Sequence, residues 1–420
     1  MTTTYSDLSA DAALFIRDSL LDIAEKNVVF AQHAMMATLP QHNGKTVQFS
    51  RYPRVALPMV AATEGVTPTT LTEVTVETVQ AVVDQWIMVT SLSDLAMITI
   101  KHPLVPIVTD LFGLAQAELV DREIQKTLMA GDSVRYALST ATVRADLTAA
   151  HVLSSTVLRR SWAALSRNGA RTMGKNYSLI VDPEVSQDIS SESNFLSAHE
   201  LAQATAIFNN QIGEWLGFSV EVSNFIPSIV LGTTTWTVAS NAGSPAGTFA
   251  NGETVNVIIE SVNSSTGLVE KVHAAKSTTT QTTDSITVTV PSITGFVYNV
   301  YVSNTDNSAV RANMQLVSEA VAASGTAVVS DFPTSDATAR RPQEAPAATN
   351  VAIHTSYAIG KDAYGMVKLS GDNLRVLMTD GKPSDSDPAA QRKKISLKGS
   401  FKSVILNDDW YERIESASAF

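Results

Sequence analysis

The longest regular pattern in the chain is a helical one that follows Pro103. Apolar residues recur at three- and four-residue spacing from Leu104 to Leu128, and Gly131 ends the run. Pro103 stands at the start of the pattern, where the missing amide hydrogen of proline is tolerated. About 28 residues at about 1.5 Å each give a helix of roughly 40 Å. That length exceeds an average domain helix and predicts a structural strut.

The segment before this helix has the pattern of a long hairpin. Residues alternate between polar and apolar over Thr46–Phe49 and again over Leu71–Val79. Pro53, Pro58, Gly65 and Pro68 interrupt the sequence between them. Because two such strands have little core of their own, we expect the hairpin to pack on something else, often another subunit.

The N-terminal segment predicts an arm with one helix. Asp7 or Ser9 can cap that helix, and an apolar stripe follows at roughly helical spacing. The stripe consists of Leu14, Phe15, Leu20, Leu21, Ile23 and Ala24. It is narrow, about the width that docking on a neighbouring subunit requires.

After the strut, short helical and strand patterns alternate. A helix is predicted from Thr148 to Asn168, a buried strand over Tyr177–Val181, a helix over 198–209 and a strand over Phe218–Val222. Sequence patterns of the same kind return after residue 350, with strands predicted at 357–359 and 367–369. These alternating elements predict an α+β domain.

The composition changes sharply between about Ile229 and Thr349, where serine, threonine, valine, glycine and asparagine dominate. Short alternating strands are predicted at 254–258, 285–290, 297–302 and 327–329. Their spacing fits one immunoglobulin-like β-sandwich, with an extended linker at 341–346 after it. We interpret the block as a sandwich inserted into a loop of the α+β domain.

Composition and motifs exclude several classes of site. The chain has no cysteine, which removes disulfides, zinc–thiolate sites and thiol nucleophiles. His199–Glu200 lacks the second histidine of a metalloprotease, because position 203 is Gln203. A group of aspartates lacks the spacing of an EF-hand: Asp380, Asp385, Asp387, Asp408 and Asp409. The sequence therefore predicts no catalytic residue, no cofactor and no metal.

The charge balance argues against a sequence-reading nucleic-acid protein. The chain has 30 basic and 41 acidic residues, a net charge of −11. Arg159–Arg160 and Arg392–Lys394 are short runs that fit a solvated face or a subunit salt bridge.

The first residues lack the pattern of a signal peptide, and no apolar run is long enough to span a bilayer. We expect a soluble protein made in a cytoplasm.

The order of arm, hairpin, strut helix and interrupted α+β domain resembles the Hong Kong-type fold of tailed-phage major capsid proteins. Short motifs narrow the resemblance to the coliphage N-four-type family. They are Tyr5–Asp7, Gly44–Tyr52, Thr63–Gly65 with Pro68, Tyr177–Pro183, Gly213–Gly217, Ile359–Gly365, Ser386–Pro388 with Gln391–Arg392, Leu397–Lys398, Ile405–Asn407 and Arg413–Ala417. The matches span about 1–228 and 350–420, and the sandwich has no counterpart in the family pattern.

The resemblance implies a set of domains and a structural function without enzymatic activity. The domains are an N-terminal arm at 1–48, an extended loop at 49–90, a strut-helix (peripheral) domain at 91–147, an axial domain at 148–228 and 349–400, a surface-exposed sandwich at 229–348 and a return to the peripheral domain at 401–420. The resemblance also implies that the protein forms hexamers and pentamers of an icosahedral head. The head would enclose double-stranded DNA, and the protein would contact that DNA non-specifically. A scaffolding protein and a portal would be partners, with or without a separate cement protein, and the virion would be the location, with assembly in the host bacterial cytoplasm.

Two features of the arm and hairpin bear on how subunits would join. We predict that subunit contacts use Leu14, Leu20, Leu21, Arg51, Arg54, Glu64, Glu73 and Glu77. Some capsids of this fold join a loop lysine to an asparagine of a neighbour, but residues 51–89 contain no lysine. The sequence therefore predicts a shell held without covalent cross-links.

Other classes remain open at the level of sequence. A bacterial nanocompartment shell would have the same fold and enclose an enzyme, although an outward sandwich suits a phage head better. A bacterial adhesin would use the immunoglobulin-like domain, but it would need a signal peptide and usually several such domains. An enzyme is the third class, and no catalytic motif supports it.

Overall fold

The computed structural model of the chain describes residues 2–3, 29–52, 55, 57, 73–99, 104–192, 213–241, 247–281, 284–306, 311–334, 340–346, 351–370, 375–379 and 391–418. The chain folds into two compact units. The first contains Met1–Asp22, Met35–Gln116 and Tyr364–Leu406, and the second contains Ile23–Ala34, Ala117–Ala363 and Asn407–Phe420. The predicted helices of the arm and of residues 198–209 lie outside the described residues.

The predicted strut is present as helix α2, Leu104–Ala130, which has 27 residues. A short helix, α1, precedes it at Asp94–Thr99. The side chain of Ser93 accepts a hydrogen bond from the amide of Ala96, so Ser93 caps α1. Among the described residues, no helix has the length and apolarity needed to cross a membrane.

The first unit is built around a sheet with strand order β1-β5-β22-β20-β2, in which β21 also pairs with β22. The strands are β1 Thr2–Thr3, β2 Met35–Leu39, β5 Asp84–Ser93, β20 Tyr364–Leu369, β21 Arg375–Thr379 and β22 Arg392–Ile405. Strand β22 is 14 residues long, and it pairs with β5 over Arg392–Phe401, with β21 over Lys394–Lys398 and with β20 over Phe401–Ile405. One hydrophobic cluster of this unit includes Leu39, Ala81, Val83 and Val367.

The predicted hairpin is present in the same unit. Strand β3, Thr46–Arg51, pairs antiparallel with β4, Glu77–Val82, from Thr46 opposite Val82 to Arg51 opposite Glu77. The second strand begins later than its pattern indicated, since residues 73–76 lie outside it. Strand β5 follows almost at once and was not predicted.

The second unit has a sheet of order β6-β23-β19-β7-β9-β8, with two helices packed on it. The elements are β6 Val134–Tyr136, α3 Ser155–Arg167, β7 Tyr177–Val181, α4 Pro183–Ser191, β8 Glu214–Trp215, β9 Phe218–Val222, β19 Ile353–Ile359 and β23 Tyr411–Ala417. Helix α3 begins seven residues later than predicted, and α4 was not predicted. All residues of the central strand β19 are buried, because β7 and β23 flank it.

The Ser/Thr/Val-rich block of the second unit folds into two sheets. One has the order β10-β13-β12-β16-β17, with β14 beside β12, and the other has the order β11-β15-β18. The strands are β10 Val230–Gly232, β11 Thr237–Asn241, β12 Thr254–Asn263, β13 Val269–His273, β14 Lys276–Thr279, β15 Ser285–Thr289, β16 Phe296–Ser303, β17 Met314–Ala322 and β18 Thr326–Val329. Side chains of both sheets, such as Val257 and Val288, share one hydrophobic core.

The two units divide the chain differently from the predicted domains. The prediction placed 349–400 with 148–228, but only the segment up to Ala363 joins that unit. Tyr364–Leu406 belongs to the first unit because β22 pairs with β5 over ten residue pairs. The prediction also returned 401–420 to the strut-helix domain as one piece. In the structure β22 ends in the first unit, whereas β23 lies beside β6 and β19 in the second.

Candidate assembly surfaces

The first unit carries most of the large apolar side chains that the described residues expose. Fifteen of eighteen such residues belong to it, and the other three are Val143, Trp162 and Val328. The fifteen are Met35, Met36, Tyr52, Val55, Leu57, Val74, Val76, Val82, Ile87, Met88, Val89, Leu95, Ile98, Leu111 and Met378. Single exposed apolar residues are common on soluble proteins, so it is their concentration in one unit that distinguishes these side chains.

Strand β5 shows why these side chains are exposed. Ile87 and Val89 point to the same face of the sheet, and they are 61% and 57% exposed. Their partners on β22 are Lys398 and Ser396, which are polar and cannot cover them. The alternation of the strand therefore leaves two branched apolar side chains without a core in their own sheet.

The hairpin carries an ion pair at the end of its described part. Arg51 Nε lies 2.5 Å from Glu77 Oε2, and about half of each side chain is exposed. The two predicted contact residues thus bind each other across the strands. Glu73 is exposed, whereas Arg54, Glu64, Leu14, Leu20 and Leu21 lie outside the described residues. The role of all eight residues in subunit contacts stays a prediction.

A buried ion-pair cluster lies in the second unit, and no sequence motif indicated it. Arg144 is 1% exposed, and it donates to both carboxylate oxygens of Glu415 at 2.7 and 2.5 Å. Arg413 donates to the same carboxylate at 3.0 Å. Burial by itself raises the pKa of Glu415, but the two arginines outweigh it and lower the pKa to about 2. The cluster joins β23 to the loop before α3.

The segment after the insert is held in this cluster, which corrects its interpretation as an extended linker. Gln343 is 2% exposed, and its side chain accepts from Arg144 and donates to the carbonyl oxygen of Met129. The main-chain oxygen of Glu344 accepts from Arg144, and its carboxylate accepts from the Arg144 amide. Buried polar groups need such partners, so residues 340–346 form a fixed part of the unit.

The insert itself contacts the end of α2. Glu260 is fully buried on β12, where it accepts from the amide of Gln343 and pairs with Arg340 at 3.1 Å. Arg311 pairs with Asp132 at 2.8 Å, and the turn at Gly267 lies against Arg122. The two sheets are therefore docked on the helix by polar contacts within the second unit.

A buried carboxylate on α2 holds residues 29–31, which lie within the predicted arm of 1–48. Asp121 accepts from the amides of Val29 at 3.3 Å and Ala31 at 3.1 Å. Burial raises the pKa of Asp121 to about 6, although these backbone hydrogen bonds act in the opposite direction. The contact fixes this part of the predicted arm on α2.

One group among the described residues has the side chains of a metal site: Asp182, Glu184 and His354. Nδ1 of His354 contacts Asp182, and Nε2 lies 3.1 Å from Glu184. Burial lowers the pKa of His354, but Asp182 and the charges of Glu184 and Asp188 outweigh it and raise the pKa. Since the two carboxylates face opposite ring nitrogens, the arrangement fits a protonated histidine that ties β19 to the start of α4. Asp182 and His354 are 172 residues apart, so spacing could not indicate the group.

Comparison with known proteins identifies the fold. No family model and no curated protein matches the sequence. The capsid structure of the cyanophage P-SCSP1u covers 97% of this chain and 94% of its own, with 13% identity and a TM-score of 0.53. The capsid of Ralstonia phage GP4 has 10% identity, coverage of 97% and 95%, and a TM-score of 0.52. The acidic stable capsid of Helicobacter pylori bacteriophage KHP30 has 10% identity, coverage of 99% of both chains, and a TM-score of 0.52.

These similarities extend over nearly the whole of each chain, so they concern the complete arrangement and not one common motif. At this identity they establish a shared fold. The chain has the mixed α+β fold of phage capsid proteins.

Proposed function

We propose that the chain is the major capsid protein of a tailed phage, with a structural and not an enzymatic role. The main support is the fold, which matches phage capsid chains from end to end. Independent support comes from the exposed apolar side chains of the first unit, because a subunit that works alone has no use for them.

In this proposal, copies of the chain form hexamers and pentamers of an icosahedral head around double-stranded DNA. Ile87 and Val89 are each more than half exposed, so a neighbour that covers them would gain about 1 kcal/mol per side chain. That gain is small for one subunit. Repetition over many such side chains and over every copy in a closed shell would multiply it.

The arm and the hairpin would supply further contacts between subunits, without covalent cross-links. A scaffolding protein and a portal would take part in assembly, and a cement protein could strengthen the shell. The insert would be an immunoglobulin-like domain on the outer surface. The protein would be located in the virion, after assembly in the cytoplasm of the bacterial host.

Negative-stain electron microscopy of the purified full-length chain tests the proposal. Closed shells of phage-head size are expected. Small cages would instead indicate a nanocompartment, and monomers under all assembly conditions would contradict a shell function.

A pair of matched variants tests the surface on which the proposal depends. The double variant Ile87→Lys/Val89→Lys places charge on the exposed face of β5 and should abolish shells while the monomer stays folded. The control is Val143→Lys/Val328→Lys, which changes two exposed apolar residues of the second unit. It should assemble normally, and normal shells from the first variant would refute this use of β5.

A further inference from the structure

Helix α3 lies in a part of the chain with a charge opposite to that of the whole. Between residues 147 and 181 there are five arginine or lysine residues and no aspartate or glutamate, although the chain has a net charge of −11. The five are Arg159, Arg160, Arg167, Arg171 and Lys175. Lys361 is a sixth cation close to these five. Its amide donates a hydrogen bond to the carbonyl oxygen of Arg171, and its side chain is exposed.

The helix places three of these cations on one side. Val157, Leu158, Ser161 and Leu165 are buried against the sheet of the second unit. Arg159, Arg160 and Arg167 lie on the opposite, exposed side. Arg160 and Arg167 are seven residues apart and point in nearly the same direction after two turns, and Arg159 immediately precedes Arg160. The sequence pattern indicated only the adjacent pair Arg159–Arg160, and the third arginine of the face was missed.

The three guanidinium groups have no ionic partner among the described residues. At the start of α3, the carboxylate of Glu192 accepts from the amide and hydroxyl of Ser155. At the end, Asn168 donates to the backbone oxygen of Asp409. These contacts at the two ends of α3 do not involve the three guanidinium groups, so no described carboxylate neutralises their charge.

Trp162 lies at the edge of this face, next to Arg159 and about 160° around the helix from Arg160. Its indole nitrogen packs against Gly217, and 43% of the residue remains exposed. On α3, which the structure describes in full, it is the one large apolar side chain that is exposed. A protein partner would need an apolar contact area, which a single tryptophan does not provide.

We infer that the exposed face of α3 binds the phosphate backbone of double-stranded DNA without reading its sequence. Guanidinium groups pair with phosphate oxygens through two parallel hydrogen bonds. The helix is about 20 Å long, and B-DNA presents about 11 phosphates over that distance. The inference rests on the proposed function for the source of the DNA, and it directs this face towards the interior of the shell.

Fluorescence anisotropy of the purified full-length chain with a labelled 30-base-pair duplex measures the binding, at several NaCl concentrations between about 50 and 200 mM. Each phosphate contact contributes about 0.9 to the slope of log K against log salt. The variant Arg159→Gln/Arg160→Gln/Arg167→Gln should lower that slope by about 2.7 and the affinity at least tenfold. Replacement of the three arginines by lysine should keep most of the slope, because the charge remains.

The control variant is Lys45→Gln/Lys394→Gln/Arg375→Gln, which removes three exposed cations from the first unit. It has the same change in net charge and should bind DNA within about twofold of the unaltered chain. An equal loss in the control, or no loss in the α3 variant, would refute the inference. If the α3 triple variant does not fold by circular dichroism, Arg160→Gln alone should still lower the slope by about 0.9.

Two further readouts distinguish DNA binding from the binding of an acidic protein segment and from shell assembly. Polyglutamate that binds as tightly as DNA at equal charge would overturn the inference in favour of an acidic protein segment. Electron microscopy of the same variants tests shell formation independently. Shells with unchanged DNA affinity would refute only the DNA site, whereas DNA binding without shells would refute only the proposed function.

Discussion

The buried cluster of the second unit gives the sharpest test of the fold. The substitution Arg144→Met removes a cation whose side chain makes four hydrogen bonds, two to Glu415, one to Gln343 and one to the backbone of Glu344. Methionine fills much of the same space without charge. We expect a folded but strongly destabilised second unit, because Glu415 then stays buried with Arg413 alone.

The expected magnitude follows from the burial of both partners. The side chains of Arg144 and Glu415 are each 1% exposed, so solvent does not compensate the loss. Removal of one member of a buried ion pair costs about 3–5 kcal/mol. For a unit of about 270 residues, the midpoint of its thermal transition should fall by roughly 6–20 °C.

The pH dependence supplies a second measurement. The pKa of Glu415 is lowered to about 2 from its ordinary value of 4.5, so its contribution to stability is present above pH 4.5 and is lost as the pH falls towards 2. That difference corresponds to about 3 kcal/mol. In the Arg144→Met variant the pKa of Glu415 rises, and the loss of stability between pH 5 and 3 should become smaller.

Urea unfolding followed by circular dichroism at several pH values between 3 and 7 measures both effects. The control is Arg51→Met, which breaks a half-exposed ion pair and should cost less than about 1 kcal/mol. A double-mutant cycle with Glu415→Gln should give a coupling energy of at least about 2 kcal/mol. A loss below about 1 kcal/mol for Arg144→Met, or an unchanged pH profile, would refute the reasoning.

Four other predictions concern a helix contact, the arm, the absence of cross-links and the insert. Gly217→Ala should cost about 1–3 kcal/mol in thermal unfolding, because φ is +82° and a Cβ would lie 2.6 Å from the indole nitrogen beside it. Leu20→Asp/Leu21→Asp should abolish shells in electron microscopy while the monomer stays folded, and normal shells would show that the arm is dispensable. Purified particles boiled in detergent should give a single band at 44.8 kDa, since the hairpin has no lysine, and a ladder would contradict this. Replacement of residues 233–339 by a short Gly/Ser linker should leave a soluble, assembling chain, whereas replacement of 229–348 also removes two partners of the buried arginine and should reduce the soluble yield.

The difference between the last two deletions comes from the contacts at the end of the insert. The composition change near residue 229 indicated an insert, and both of its ends were assigned to a loop of the surrounding domain. Gln343 and Glu344 are within the composition block, but their contacts belong to the cluster around Arg144. The boundary for engineering therefore lies before residue 340.

Much of the local structure could be predicted from the sequence alone. The spacing of apolar residues indicated α2, and its described length of 27 residues agrees with the prediction. Alternation indicated the β3–β4 hairpin, strand β9 and four strands of the insert, and a short buried run indicated strand β7. These predictions succeed because each depends on neighbours within about ten residues, and a helix or strand imposes its own period on that window.

Strand partners and surfaces could not be obtained in this way. Arg144 and Glu415 are 271 residues apart, and the pairing of β5 with β22 joins segments about 300 residues apart. A strand pattern shows that a segment is extended but not which other strand completes its hydrogen bonds. For the same reason the sequence could not show that Ile87 and Val89 stay exposed, or that Arg159, Arg160 and Arg167 share a face without carboxylates. Burial and ion pairing depend on which distant segments meet, and only the tertiary structure decides that.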